Sequence, residues 1–446
     1  MSILFPDNLQ PRDIFTDILP FIDEEGIILF TGARQVGKTY LLYLTAHHLL
    51  TAGVAPSQII FFDLENIHDL TLIQELSDYN DFLKVVKDLG ADTQNKIYIL
   101  IDEIQHLKNP SSFLKYLHDH YKPKLKFIVS GSSSLEIKKK FTDQLTGRIY
   151  TFAVSPLSFK EFMQFKERGE LLKKLPVIDF KRELPSANKF NADEIFSSED
   201  KKTVESLLNE YLIFGGYPAI SLRENPTVKK RGLEEIYSLY IRRDIKDLGE
   251  IEDTIGYNKV VSLLGYQIGN LVHDQELSLS SGLSRPTIRK YLFLLENTFV
   301  LTLLPPFFTN KRTELTKMPK VYFEDVGLRN AVINNFNSLS TRPDSGQLFE
   351  NFVYSQLTKK DPLKHKVHFW RTQTKNEVDF IWQEDETNYF PIEVKWQDTA
   401  KSSLPSGLRS FINKYSPRQA FIIHSGGFNI TNYKNTVIYT LPAWSI

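Results

Sequence analysis

The chain has 446 residues, 41% of them apolar and 24% charged, and its 54 Lys and Arg balance its 54 Asp and Glu to a net charge of zero. The length allows about three domains, and the composition is that of a folded globular protein. Zero net charge argues against bulk electrostatic coating of nucleic acid and leaves room only for local basic patches. The absence of cysteine excludes a disulfide partner, thiolate-bound zinc, iron–sulfur clusters and thiol catalysis. Met1–Pro11 lacks the charged-then-apolar pattern of a signal peptide. The longest apolar run, Phe299–Phe308, is interrupted by Thr302, Pro305 and Pro306 and is far short of the ~20 residues of a spanning helix. A soluble, cytoplasmic protein without membrane contact is expected.

Between Gly26 and Val154, short apolar runs alternate with helical stretches. Gly26–Phe30, Gln58–Asp63, Ile97–Asp102 and Lys126–Ser130 read as strands buried on both faces, in parallel βα units. Gly32-Ala33-Arg34-Gln35-Val36-Gly37-Lys38-Thr39 fits the phosphate-loop pattern GxxxxGK[ST], placed after a strand and before the helix Thr39–Leu50. Its glycines let backbone amides turn around phosphates at a helix N-terminus. Lys38 places a charge on the β- and γ-phosphates of ATP, Thr39 is a Mg²⁺ ligand, and Tyr40 follows directly. A second strand ends in Asp102-Glu103, where Asp102 holds Mg²⁺ through water and Glu103 orients or deprotonates the attacking water. Lys126–Ser130 leads into Gly131-Ser132-Ser133-Ser134, where a serine senses the γ-phosphate or makes ordinary turn contacts. Lys138-Lys139-Lys140 reads as a solvated helix face.

These motifs, with Thr146-Gly147-Arg148 and Pro156-Leu157-Ser158-Phe159-Lys160-Glu161-Phe162, resemble the AAA-type P-loop ATPases of bacteria and archaea, in the branch that carries an additional C-terminal domain. The resemblance implies ATP and Mg²⁺ as cofactors and marks Arg148 as a γ-phosphate-contacting arginine, acting in cis or from a neighbouring subunit of a homo-oligomer. A structural salt bridge is the other reading of Arg148.

Lys166–Lys202 is charge-rich and reads as a surface insertion with partial helix. Gln275–Asn297 reads helix, turn, helix, with Gly282 in the turn, Ser284 as cap and Pro286 in the first turn. Ile288, Tyr291, Leu292 and Leu295 form its apolar face, leaving Arg285, Thr287, Arg289 and Lys290 off it. A hairpin over Phe299–Phe323 carries Lys311, Arg312, Lys317 and Lys320. Seven Lys or Arg lie between Ser281 and Lys320 against Glu296 and Glu314, a local excess of five positive charges. A winged-helix unit is expected, and DNA contact through Arg285, Thr287, Arg289, Lys290, Lys311 and Arg312 stands beside a plain protein-docking role.

After the linker candidate Ser338–Gln347 comes a helix bearing Glu350, then strands Val367–Arg371, Glu377–Trp382 with Asp379, and Tyr389–Trp396 with Glu393 and Lys395. Glu393 and Lys395 are two apart and point to one face. Two carboxylates and a lysine there suit a divalent-metal site, with Asp379 and Glu393 as ligands; a salt-bridged polar strand face is the other reading. Leu404–Tyr415 and Gln419–His424 complete an αβββαβ order that is similar to the PD-(D/E)XK restriction-endonuclease-like fold, with Glu350 as the helix acid.

The expected fold class is α/β: a P-loop parallel sheet (1–155), a helical lid or insertion (156–240), a winged-helix unit (241–337) and a restriction-endonuclease-like domain (338–446). The expected function is an ATP-hydrolysing switch coupled to DNA binding and a nuclease-like domain. A metal-dependent DNA endonuclease gated by ATP and a non-catalytic docking scaffold are the alternatives.

Overall fold

The computed structural model of the chain describes residues 5–6, 9–131, 145–174, 197–239, 251, 253–308, 318–361, 366–396 and 404–446. The chain divides into two compact units, one of Met1–Ser155 and the other built from Pro156 to Ile446.

The first unit is a parallel sheet of five strands: β1 (Ile27–Gly32), β2 (Ile59–Asp63), β3 (Ile97–Asp102), β4 (Leu125–Gly131) and β5 (Ile149–Val154). They lie in the order β2-β3-β4-β1-β5, every pairing parallel. β1, β3 and β4 are buried along their whole length, which is why they read as unbroken apolar runs rather than alternating ones. β5 is the strand that the apolar-run criterion does not isolate, because it is an edge strand with half-exposed residues. One layer of the core joins Leu29, Ile99, Ile101, Phe127 and Val129 of the sheet to Phe82, Phe113 and Leu117 of the helices Phe82–Asp88 and Pro110–Tyr121. With its strands parallel, the sheet gathers all C-terminal strand ends on one edge, and β1 delivers its end there between those of β4 and β5.

In the second unit, the helices Ser198–Phe214, Pro226–Leu239 and Val326–Val332 pack together, and Thr254–Tyr266, Asp274–Ser281 and Arg285–Asn297 precede a two-stranded hairpin of β6 (Leu301–Leu304) and β7 (Lys320–Phe323). A six-stranded sheet of order β12-β13-β11-β10-β9-β8 follows, from β8 (Val367–Arg371), β9 (Glu377–Gln383), β10 (Tyr389–Lys395), β11 (Gln419–His424), β12 (Asn429–Tyr433) and β13 (Thr436–Pro442). Phe380 meets Tyr354 of the helix Ser345–Lys359 with ring centroids 6.1 Å apart. The next residue, Ile381, joins the cluster of Phe411 and Ile412 in the helix Ser406–Tyr415. Neighbouring strand residues face opposite ways, so the two helices cover opposite faces of the sheet. Three strands, β11, β12 and β13, follow the last helix, where the αβββαβ order has one.

The stretch expected as a linker is packed. Arg342 is fully buried at its side chain and ion-pairs with Asp344 at 2.7 Å, while its Nη2 donates to Asn330 Oδ1 at 2.9 Å. Asn330 in turn donates to the carbonyls of Leu212 and Ile213. Arg329, 1% exposed, donates to the Gly265 carbonyl and to Asp344 at 2.5 Å. Burial raises the Asp344 pKa, but hydrogen bonds from Arg342 and Arg329 outweigh it and hold the carboxyl below the ordinary range. Removing one member of such a pair leaves a buried guanidinium uncompensated. Asp344→Ala is therefore expected to lower unfolding stability by about 3 kcal/mol in urea titrations. Because the folded pKa is depressed, the stabilisation is complete above the unfolded carboxylate pKa and fades as pH falls below it. Asp344→Asn should accordingly flatten the acid limb of the stability profile.

Candidate functional site

The loop after β1 is shaped by two glycines. A Cβ at Gly32 would collide with the Val154 carbonyl at the end of β5, and Gly37 has φ +100°, a left-handed conformation that favours glycine. Gln35 between them is also left-handed, at φ +61°. Such residues cluster where a loop is held for function. Lys38 is buried, and its Nζ donates to the Ala33 carbonyl at 2.7 Å and the Gly32 carbonyl at 3.2 Å. The loop therefore has its own cation folded onto the backbone that Ala33 and Arg34 continue. Lys38 opens the helix Lys38–Thr51. Tyr40 donates from its hydroxyl to the Gln10 carbonyl at 3.1 Å, fastening the N-terminal segment to that helix.

At the ends of the adjoining strands, Thr39 Oγ1 donates to Asp102 Oδ2 at 2.6 Å, and the buried Ser130 hydroxyl donates to Asp102 Oδ1. The same Ser130 oxygen accepts the Glu103 amide at 3.1 Å, which a hydroxyl with one donor and two acceptor sites allows. Glu103 has φ +53°, so the backbone turns at the second carboxylate, and Gln105 donates to Glu103 Oε2. Burial raises the Asp102 pKa against these hydroxyl bonds, the charge of Glu103 adds to the rise, and Lys38 opposes it. A carboxylate that favours a proton when alone is one that gains from a cation beside it. Two hard oxygens side by side, Thr39 Oγ1 and Asp102 Oδ2, form a donor set suited to Mg²⁺.

Sequence reading missed Arg12. It is 4% exposed, and its Nη1 donates to the Val36 carbonyl at 3.0 Å and its Nη2 to the Ser155 carbonyl at 2.9 Å. It lies outside every motif, so no spacing pattern marks it.

Arg148 stands at the start of β5. Its carbonyl accepts the Ile27 amide at the start of β1, whereas the phosphate loop leaves the far end of that strand. Five strand steps separate the two ends, about 16 Å at ~3.3 Å per residue. The side chain makes a two-pronged pair with Asp119, Nε to Oδ1 at 2.7 Å and Nη2 to Oδ2 at 3.0 Å. Of the readings in sequence, the salt bridge is the arrangement adopted, and contact with the loop of the same chain is excluded by position.

In the second unit, the β9–β10 register runs to Phe380 opposite Ile392. Beyond it, Asp379 Oδ2 accepts the Val394 amide at 2.8 Å. Lys395 Nζ donates to Glu393 Oε1 at 2.7 Å, as residues two apart on a strand should, while the buried Glu393 Oε2 has no hydrogen-bond partner. Burial first, then the charges of Glu393 and Glu350, push the Asp379 pKa well above the carboxylate range. Glu350 accepts the Tyr322 hydroxyl and lies 3.4 Å from Lys320 Nζ. Lys320 also ion-pairs with Glu377. Lys320 and Glu377 had no place in the sequence reading of this cluster. Among the described residues, no group of three or more His, Cys, Asp or Glu is arranged to hold a metal ion.

The basic patch is smaller than its sequence count. Lys320 is 2% exposed and belongs to the carboxylates. Arg289 pairs with Asp274 at 2.6 Å. The Thr287 amide donates to Ser284 at the helix start, so Thr287 is part of the cap. Arg285, Arg289 and Lys290 are exposed, whereas Lys311, Arg312 and Lys317 lie outside the described residues, as do Ser132-Ser133-Ser134 and Lys138–Lys140.

The parallel sheet, the loop between β1 and its helix, and the acidic end of β3 define a P-loop nucleotide-binding fold. Residues 24–163 match a family model described as an AAA domain. Residues 205–339 and 345–444 match two domains of unknown function, DUF8612 and DUF4143. The chain is 26% identical over 378 residues to an uncharacterized protein of Haemophilus influenzae, covering 84% of this chain and 83% of that one. It is 26% identical over 379 residues to an uncharacterized protein of Methanocaldococcus jannaschii, covering 83% and 74%. Among solved structures it is similar to a Walker-type ATPase of Pyrococcus abyssi, with a TM-score of 0.44 and 14% identity over 73% of this chain and 99% of that one. It is also similar to the RuvB Holliday junction branch migration motor of Thermotoga maritima, with a TM-score of 0.33 and 15% identity over 68% and 93%. The first unit thus has a P-loop nucleotide-binding fold, most of which matches the AAA domain model. Among the described residues, no helix is long and apolar enough to cross a membrane.

The Asp119–Arg148 pair is testable by a double-mutant cycle. Its Arg148 hydrogen bond lowers the Asp119 pKa to about 2, so its stabilisation is present above the unfolded carboxylate pKa and lost as pH falls through about 2. Arg148→Ala and Asp119→Ala should each cost little stability at neutral pH, and together no more than either alone.

Proposed function

We propose that this chain is an ATPase that binds Mg-ATP at Gly32–Thr39 and uses its hydrolysis as a switch on the second unit. The observation that carries the reading is the hydrogen-bonded run Thr39–Asp102–Ser130–Glu103, set beside the loop. The amides of Ala33 through Lys38 surround the phosphates, with Arg34, Gln35 and Val36 forming the rim. Lys38 exchanges the carbonyls of Gly32 and Ala33 for the β- and γ-phosphates. Thr39 and Asp102 hold Mg²⁺, which when bound neutralises phosphate charge. Glu103 accepts the proton of the attacking water, and Ser130 is a positioning residue that fixes both Asp102 and the backbone of Glu103. Tyr40 and Gln10 border the nucleotide from the N-terminal side. Arg148, already paired within its own chain, serves a γ-phosphate only in a homo-oligomer, by leaving Asp119.

In the second unit, three helices followed by the β6–β7 hairpin support a winged-helix reading, with DNA as partner through exposed Arg285, Arg289 and Lys290. Exposed Leu279 and Phe293, 79% and 54% accessible on the same helix pair, favour protein docking as the second reading. The helix–sheet arrangement that brings Glu350, Asp379, Glu393 and Lys395 together supports a restriction-endonuclease-like fold for the C-terminal part.

Steady-state ATP turnover with a fluorescent-nucleotide titration tests the first proposal. Lys38→Ala is expected to lose both binding and turnover. Glu103→Gln should keep binding and lose turnover by 10²-fold or more, the usual contribution of a general base. Retention of turnover by both variants would overturn the assignment. DNA contact predicts that charge reversal at Arg285 and Arg289 flattens the dependence of DNA affinity on salt.

A further inference from the structure

Lys320 opens β7 and by sequence belongs to a basic hairpin. Its side chain is 2% exposed, its Nζ pairs with Glu350 and Glu377, and it sits 5.5 Å over the Phe369 ring. Tyr322, two residues on and therefore on the same face of β7, gives its hydroxyl to the same oxygen of Glu350. The hairpin thus sends two donors into the acidic cluster. Burial works against the ammonium, yet Glu350, Asp379 and Glu377 outweigh it and hold the Lys320 pKa above its ordinary value.

A divalent ion in a nuclease-like site needs several carboxylate oxygens free to converge on one point at ~2.0–2.2 Å. Here at least one oxygen of each carboxylate is already engaged, while the buried Glu393 Oε2 has no hydrogen-bond partner. Glu350 Oε1 is held by the Tyr322 phenol and the Lys320 ammonium, Asp379 Oδ2 by the Val394 amide, Glu393 Oε1 by Lys395. Glu377 is shared between Lys320 and Arg371, the latter at 3.0 Å. Four carboxylates face three fixed cations, so little negative charge is left to attract a metal. An ammonium with three donors satisfies buried carboxylates as a metal would. As arranged, the donor set does not fit Mg²⁺.

We propose that Lys320 is a built-in counter-ion that fills the acidic cluster of Glu350, Glu377, Asp379 and Glu393 and excludes a divalent cation from it while β7 holds its place. The inference concerns the second unit alone and stands whatever the first does with nucleotide.

The test is a Mn²⁺ titration of the nucleotide-free full chain, read by the loss of the free-ion EPR signal. All proteins carry Thr39→Ala to silence the phosphate-loop site. With Lys320 in place, titration to about 1 mM, the weak end of protein oxygen sites, should give the same isotherm with and without Asp379→Asn. Lys320→Met should gain a Mn²⁺ site, and Lys320→Met with Asp379→Asn should lack it. An Asp379-dependent site in the chain that retains Lys320 would overturn the proposal. So would a folded Lys320→Met, verified by thermal melt, that gains none. Should Lys320→Met fail to fold, Lys320→Gln takes its place, and the comparison that retains Lys320 decides by itself.

Discussion

The first unit depends on keeping one buried carboxylate, Asp102, in hydrogen bonds. Its two oxygens take hydroxyls from two elements, the helix after β1 through Thr39 and the end of β4 through Ser130. Parallel pairing puts these groups on the same sheet edge, and the order β2-β3-β4-β1-β5 places the loop beside them. The arrangement costs stability in the absence of a cation, because burial disfavours the ionised acid. The proposed Mg²⁺ would offset that cost.

The second unit treats buried charge differently. Arg329, Arg342 and Asp344 pair with one another and with main-chain carbonyls, joining segments far apart in sequence. Lys320 does the same among the carboxylates of the six-stranded sheet. In both places protein cations pair with the acids, although burial and the neighbouring acids still push the Asp379 pKa well above the carboxylate range.

Much of this was legible in sequence because the signals are local. The phosphate loop, the acidic end of β3 and the i, i+2 pair Glu393–Lys395 each rest on a fixed spacing within one element. β1, β3 and β4 were legible because full burial makes them mostly apolar, and β2 because most of it is buried. β5 was not, since an edge strand mixes exposed and buried residues. Arg12 and Lys320 were illegible for a different reason. Their roles come from contacts 24 and 30 residues away or more, and nothing in their neighbourhoods distinguishes them from surface cations. Counting Lys320 with its chain neighbours assigned it to a basic patch, whereas the β6–β7 pairing turns it inward. The supposed linker failed similarly: Pro343, Ser345 and Gly346 suggest a loose joint, but the buried Arg342 makes it a clasp.

Arg12 has a mechanical consequence. One guanidinium holds the Val36 carbonyl inside the phosphate loop and the Ser155 carbonyl at the last residue of the first unit. Gly32 is pressed against Val154 one residue earlier. The loop and the end of the first unit therefore share a mounting. The next residue is Pro156, whose ring fixes φ near −65° and removes one axis of free rotation. The loop and the last residue of the first unit are in this sense one piece, carried on a single guanidinium.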